Sequence, residues 1–497
     1  MFDLFVQGMS NIFSQPHVLL LSVLGVAVGI VVGALPGLTA TMGVALILPM
    51  TFGMDPVAGL LLLSGVYFGG VYGGSVTAIL LRTPGTPAAA ATAIDGYALT
   101  RKGMAGKALG TATLSSFAGG TISIVILMFL APVLANVALE FSASESFALA
   151  VFGLSIIASI AGKSLVKGLI SGAIGLFIAT VGLDPMTAYP RFTFGATELM
   201  NGVPFIPVMI GLFAASEAFK SLSEWGAEEK VKAKIERVLP TWAEFKRLVP
   251  TILRSTGLGT MIGIIPGAGA DIAAFVSYNE TKRFSKDKEG FGQGKLEAVA
   301  ACESGANACT GGALVPLLTL GIPGDAVTAV MLGALMVQGL QPGPMLFQDH
   351  GDLVYSLFAG MIVCYIIMAL MGLLSARYFA KVVQIPKAIL TPIILVLCVV
   401  GAYAINNNMT DVYIMLIAGV FGYYMQKWDF PASPIVLALI LGPMAESQMR
   451  RALVLSDGSY DIFYTRPITL VLLLISLFTL FTPIIKAIWR KRKRAVR

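Results

Sequence analysis

Four Pro-Gly pairs, each inside an apolar stretch and each beside hydroxyl or carboxyl side chains, are the residues best equipped for chemistry in this chain. Gly33-Ala-Leu-Pro36-Gly37 leads to Thr39 and Thr41, and Gly263-Ile-Ile-Pro-Gly267-Ala-Gly269 leads to Asp271. Arg82-Thr-Pro-Gly85 leads to Thr86, with Ser75 and Thr77 before it, and Gly321-Ile-Pro-Gly324 leads to Asp325 and Thr328. Proline removes a backbone donor and glycine permits left-handed dihedrals, so a helix is predicted to stop and restart at each pair. Exposed backbone groups at membrane depth are tolerated only where they line a cavity or bind something. The restarted helix aims free amides at the break, which suits a carboxylate, and the carbonyls ending the preceding helix suit Na+. The candidate substrate-binding residues are therefore Pro36, Gly37, Thr39, Thr41, Gly85, Thr86, Gly267, Gly269, Gly324 and Asp325.

A carboxyl at membrane depth costs about 2.5–3.5 kcal/mol to insert, so each one asks for a reason. Asp271, Glu303 and Asp325, with Asn307 one turn beyond Glu303, are the candidate cation ligands. Blander readings stay open on sequence alone: the pairs kink packed helices, Asp271 caps a restarted helix, and Glu303 sits near an interface. Catalytic chemistry lacks its residues. His17 and His350 form no HExxH, and Cys302, Cys309, Cys364 and Cys398 form no CxxC, so the cysteines read as small hydrophobes. Gly162-Lys163-Ser164 resembles the end of a P-loop, but Ile157 stands where glycine is required. No enzyme activity and no cofactor beyond a coupling Na+ or H+ is expected.

The elements that position these residues are membrane helices. Of 497 residues 56% are hydrophobic and 12% charged, outside soluble composition. The apolar residues fall in blocks of about 18 to 25, the length that crosses a bilayer as a helix. Barrel strands would alternate in polarity, whereas residues 470–480 are apolar on nearly every side. No Lys or Arg precedes the first apolar stretch, so it reads as a retained helix and not a cleaved signal. Gly25, Gly29 and Gly33, and Gly69, Gly70, Gly73 and Gly74, read as faces for close helix packing.

The chain reads as two repeats. The two halves share, in order, the Pro-Gly motifs above, Leu169-Ile-Ser-Gly-Ala-Ile-Gly175 with Leu416-Ile-Ala-Gly-Val-Phe-Gly422, and Gly211-Leu-Phe-Ala214 with Gly442-Pro-Met-Ala445. Residues 1–220 form the first repeat, 221–250 a basic cytoplasmic connector, 251–460 the second repeat, and 461–497 a final helix with a basic cytoplasmic tail. Lys and Arg mark the cytoplasmic side. Loop 95–107 holds Arg101, Lys102 and Lys107 while its counterpart 341–352 holds none; loop 377–387 holds Arg377, Lys381 and Lys387 while its counterpart 136–146 holds none. Loop 162–168 holds Lys163 and Lys167 while its counterpart 406–411 holds no Lys or Arg. The repeats are thus predicted to run in opposite directions, as in secondary transporters built around a midplane site. Residues 251–278, flanked by basic residues at both ends, are predicted to be a re-entrant hairpin with Pro266-Gly267 at its tip. Arg450 and Arg451 are the exception to the charge rule.

At these residues the sequence resembles the large membrane subunit of the tripartite tricarboxylate transporter family. The resemblance rests on residues 33–40, on Tyr67-Phe-Gly-Gly-Val-Tyr-Gly-Gly-Ser75 leading to residues 82–86, on Ile264-Ile-Pro-Gly-Ala-Gly-Ala-Asp271, and on Gly321-Ile-Pro-Gly-Asp325. It implies a permease of the bacterial inner membrane, with its C-terminus cytoplasmic, working with a small membrane subunit and a periplasmic substrate-binding protein. It implies uptake of a di- or tricarboxylate such as citrate together with Na+ or protons. An elevator-type carrier, able to form a homo-oligomer, is the expected architecture, with a channel or exporter as the alternative. Energetics favours coupling, because moving a trivalent anion into a cell about 100 mV negative costs about 7 kcal/mol.

Overall fold

The computed structural model describes residues 2–35, 38–155, 164–184, 187–223, 238–374 and 387–495. Pro36, Gly37, the Gly162-Lys163 pair, Arg377, Lys381 and residues 224–237 of the connector lie outside them. In chain order the helices are α1 (Phe2–Ser14), α2 (Pro16–Ala34), α3 (Ala40–Ile47), α4 (Pro56–Leu81), α5 (Ala90–Arg101), α6 (Ala105–Ala138), α7 (Ala143–Ser155), α8 (Leu165–Ala179) and α9 (Phe205–Ser223). They continue as α10 (Trp242–Ile264), α11 (Gly269–Phe284), α12 (Leu296–Leu320), α13 (Ala326–Val337), α14 (Gly351–Leu374), α15 (Lys387–Asn406), α16 (Met409–Lys427), α17 (Ser433–Leu455) and α18 (Pro467–Ala495). Of these α2, α4, α6, α9 and α14 are long and apolar enough to cross a bilayer. The chain is an all-α polytopic membrane protein.

Two compact units form, and each draws on both sequence halves. Unit 1 comprises Met1–Ala135 with Glu217–Ile405, and unit 2 comprises Asn136–Ser216 with Asn406–Arg497.

In unit 1, α2 lies against α4 along glycines. Gly25, Gly29 and Gly33 face the α4 backbone at Leu62, Val66 and Gly70, while Gly65 and Gly69 face α2 at Val26 and Ile30. Apolar helices gain little by leaving lipid for each other, so close backbone approach at small residues holds them together. The same seam joins α10 to α12, where Gly259 faces Gly305, Gly263 faces Cys309 and Gly312 faces Thr260. Helix ends match as well. α2 and α10 both stop at an extended residue, Leu35 and Ile265. α4 and α12 both stop at a left-handed one, Arg82 with φ 62° and Gly321 with φ 69°.

In unit 2 the glycines of the third repeated motif pack crosswise. Gly175 of α8 faces Ile435 and Ala438 of α17, and Gly422 of α16 faces Leu212 and Ser216 of α9. Arg450, one of the two exceptions to the charge rule, pairs with Asp184 at 3.0 Å and Glu446 at 2.7 Å, and Arg191 pairs with the same two acids at 3.4 and 2.8 Å.

Candidate functional site

In unit 1 the second break of the first series meets the last turn of α2, and the two breaks of the second series meet each other. In the first series a Cβ on Gly85 would strike the Gly33 carbonyl oxygen and stand 2.9 Å from Thr77 Oγ1. In the second, Gly267 N–H donates to Gly324 O at 2.6 Å, and a Cβ on Gly324 would stand 2.5 Å from Ala313 Cα. The left-handed residues are not all the expected ones. Gly267 and Gly269 have φ 84° and 71°, but at the second breaks Arg82 and Gly321 make the turn, and Gly85 and Gly324 have no positive φ. The helix-ending residue already reverses the chain. The glycine after proline is needed instead for close approach, so valine at Gly85 or Gly324 is a packing lesion as well as a site lesion.

Polarity differs between the second breaks. Asp325 caps α13: its Oδ1 accepts from Thr328 N–H at 2.8 Å, Thr328 Oγ1 accepts from Asp325 N–H at 2.8 Å, and Asp325 Oδ2 accepts from Tyr67 O–H at 2.5 Å. This helix end carries its own carboxylate. Thr86, at the same place in the first series, makes no side-chain cap, and its hydroxyl is buried with no hydrogen-bond partner. Asp271 is exposed in the first turn of α11. Thr39 Oγ1 is taken up in capping α3, accepting from Met42 N–H at 3.2 Å, and Thr41 is half-buried in the next turn.

Glu303 and Asn307 form a second cluster. Glu303 is 1% exposed, two turns into α12. Its Oε1 accepts from Ser75 Oγ and Thr92 Oγ1, both at 2.5 Å, and its Oε2 accepts from Ser116 Oγ at 3.0 Å. Asn307 Nδ2 donates to Ser116 Oγ at 2.9 Å and to Glu303 O at 3.1 Å, while its Oδ1 is buried and unpaired. Sequence reasoning singled out Glu303, Asn307 and Ser75 but not Thr92, Ser116 or Tyr67.

It also missed Asp95. This residue of α5, 1% exposed, accepts from Gly292 N–H at 2.9 Å, Gly294 and Lys295 N–H at 2.8 Å, and Tyr278 O–H at 3.0 Å. The available signal was its isolation, since no other acid occurs between Asp55 and Glu140. The bonds tie the loop that starts α12 to α5, the helix that carries Thr92. Each bond to a charged acceptor contributes about 1.5–3 kcal/mol. Asp95→Ala is expected to speed amide exchange at Gly292, Gly294 and Lys295 at least about tenfold; unchanged exchange would show that other contacts hold the loop.

Among the described residues no group of three or more His, Cys, Asp or Glu is placed to hold a metal ion. The four cysteines are buried and free.

A family model described as the tripartite tricarboxylate transporter TctA family matches residues 19–437. An Agrobacterium vitis protein, described as an uncharacterized 52.8 kDa protein in the TAR-I ttuC' 3' region, is 40% identical over 473 residues, 95% of this chain and 94% of that protein. Another from the same organism, described as an uncharacterized protein in the TAR-II ttuC' 3' region, is 35% identical over 234 residues, 47% of this chain and 97% of that protein. No solved structure matches significantly. The family match takes in all four Pro-Gly breaks and both carboxylate clusters of unit 1. This chain belongs to the tripartite tricarboxylate transporter TctA family, whose members are transporter permeases.

Proposed function

We propose that this chain is the large permease subunit of a binding-protein-dependent transporter of the bacterial inner membrane that takes up a di- or tricarboxylate, such as citrate, with Na+ or H+. A small membrane subunit and a periplasmic substrate-binding protein are its partners. The observation that carries the reading is the meeting of two broken helices twice within unit 1, Gly33 with Gly85 and Gly267 with Gly324. Half-helix ends brought together at membrane depth are how secondary transporters bind ions and anions. The anion is assigned to the Thr86 end, where the hydroxyl is unpaired and no side chain occupies the helix start. The cation side is assigned to the acids, because Asp325 already fills its own helix end.

Inverted repeats are supported by the matched helix ends in unit 1, by the crosswise glycine contacts in unit 2 and by loop charges of opposite sign. Every described candidate residue lies in unit 1, which suits an elevator-type step in which one unit carries the site.

Reconstituted with its partners, the chain is expected to accumulate a carboxylate only when a Na+ or proton gradient is imposed. Passage without any gradient would indicate a channel, and no carboxylate from a broad panel being taken up would sink the substrate reading. Single cysteines introduced at Met104 and Asn408 are expected to react with an impermeant thiol reagent from opposite sides. Labelling from one side would refute the inverted arrangement.

A further inference from the structure

We propose that Glu303, Ser75, Thr92, Ser116 and Asn307 together form the coupling-ion site, and that the ion is Na+. The inference deepens the cation-coupled reading above and rests on it.

The carboxylate is wholly enclosed, and the three hydroxyls around it all donate to it, which is the arrangement an ionised carboxylate accepts. Among the described residues no Lys, Arg or His lies within ion-pair distance of Glu303. A buried ionised carboxylate without a positive partner is strongly unfavourable, so the cluster calls for a cation. One carboxylate balances one monovalent charge; a divalent ion would leave a net charge enclosed.

Asn307 points to the same place independently. Its Nδ2 is bound to Ser116 Oγ and to the Glu303 carbonyl, which accepts only, so the amide cannot be turned over without setting two oxygens against each other. That leaves Oδ1 as a fully buried acceptor with no donor. An unmet buried acceptor costs about 1–3 kcal/mol and needs an explanation. The same amide is hinged, through Nδ2, on the hydroxyl that donates to Glu303. Tyr365 O–H, donating to Asn307 O at 3.1 Å, holds this turn of α12 in place. Beside the Asn307 amide nitrogen, which is already bonded, the set offers only hard oxygen atoms, the donors that a hard cation such as Na+ takes.

The test uses the purified full-length chain in nanodiscs, with no substrate and no partner, and measures Tm against NaCl, KCl and choline chloride at constant ionic strength. An ion that binds only the folded state raises Tm in a saturating way. The wild type is expected to respond to Na+ and not to K+ or choline. Glu303→Gln and Asn307→Ala are expected to lose the response, and Thr92→Val and Ser116→Ala to raise the half-saturating Na+ concentration about tenfold. If Glu303→Gln fails to fold, the Asn307 and Ser116 variants carry the test. A Na+ response that is retained in Asn307→Ala and keeps its wild-type half-saturation in Ser116→Ala, or an equal response to K+, overturns the assignment. So does a wild type indifferent to Na+ but stabilised by lower pH, which would make the ion a proton. Wild type that binds Na+ in this assay yet takes up no carboxylate with its partners would refute the transport reading alone. Coupled uptake without a Na+ response would refute this site alone.

Discussion

Valine at Gly69 or Gly263 is expected to remove the folded protein from the membrane, not merely to slow it. A Cβ on Gly69 would stand 2.6 Å from Val26 O and 3.0 Å from Ile30 N, and one on Gly263 would stand 2.9 Å from both Ala313 N and Gly312 Cα. These neighbours are backbone, so no rotamer change relieves the contact. Overpacking that a core can absorb costs about 1–3 kcal/mol; here two whole helices must separate along the seam, and the loss should exceed that. Gly257 supplies the control, because it lies on the exposed face of α10 with nothing within 4 Å of an added Cβ. Gly257→Val should give wild-type amounts of monodisperse protein by fluorescence-detected gel filtration, and Gly69→Val and Gly263→Val little or none. Normal yields for the seam variants would mean that the two helix pairs are not packed at these residues.

Asp325→Asn and Tyr67→Phe are expected to leave the fold intact and impair transport. Asparagine caps a helix about as well as aspartate, so the start of α13 survives while the charge is lost. Tyr67→Phe removes the 2.5 Å bond to Asp325 Oδ2 and keeps the aromatic ring. A hydrogen bond to a charged group contributes about 1.5–3 kcal/mol, so coupled uptake should fall by roughly ten- to a hundredfold in each. Asp325→Ala, which also removes the cap, should lose about a further 1 kcal/mol of stability, read as a lower Tm. Full uptake by Asp325→Asn would make Asp325 a cap and nothing more.

The valine experiment also bears on Gly85 and Gly324. Their motifs marked them as break residues, and breaks do occur there. Their role was misjudged because a left-handed turn and a close backbone approach both demand glycine and leave the same letter in the sequence. Which demand applies depends on whether another chain segment arrives, and Gly33 arrives at Gly85 from α2 and Ala313 at Gly324 from within the second series.

Local physics wrote the spans, the breaks and the packing faces into the order of residues. Apolar run length decides whether a segment crosses a bilayer, proline and glycine act on their own peptide units, and a small-residue stripe at helical spacing is a face whatever it meets. Those features were legible, as was the presence of Asp271, Glu303 and Asp325 within apolar surroundings. The partners were not. Glu303 bonds to Ser75 across 228 residues, to Thr92 across 211 and to Ser116 across 187, and no local pattern distinguishes those hydroxyls from others in the same helices. Asp325 and Thr86 occupy corresponding positions, yet one fills its helix end and the other leaves a hydroxyl unpaired. Hydrogen bonding falls off within about 3 Å, so such a site exists only once helices from distant parts of the chain are neighbours. That adjacency is a property of the packed bundle, set by which glycine seams close on which, and it is what brings the break motifs and the enclosed acid together in one unit.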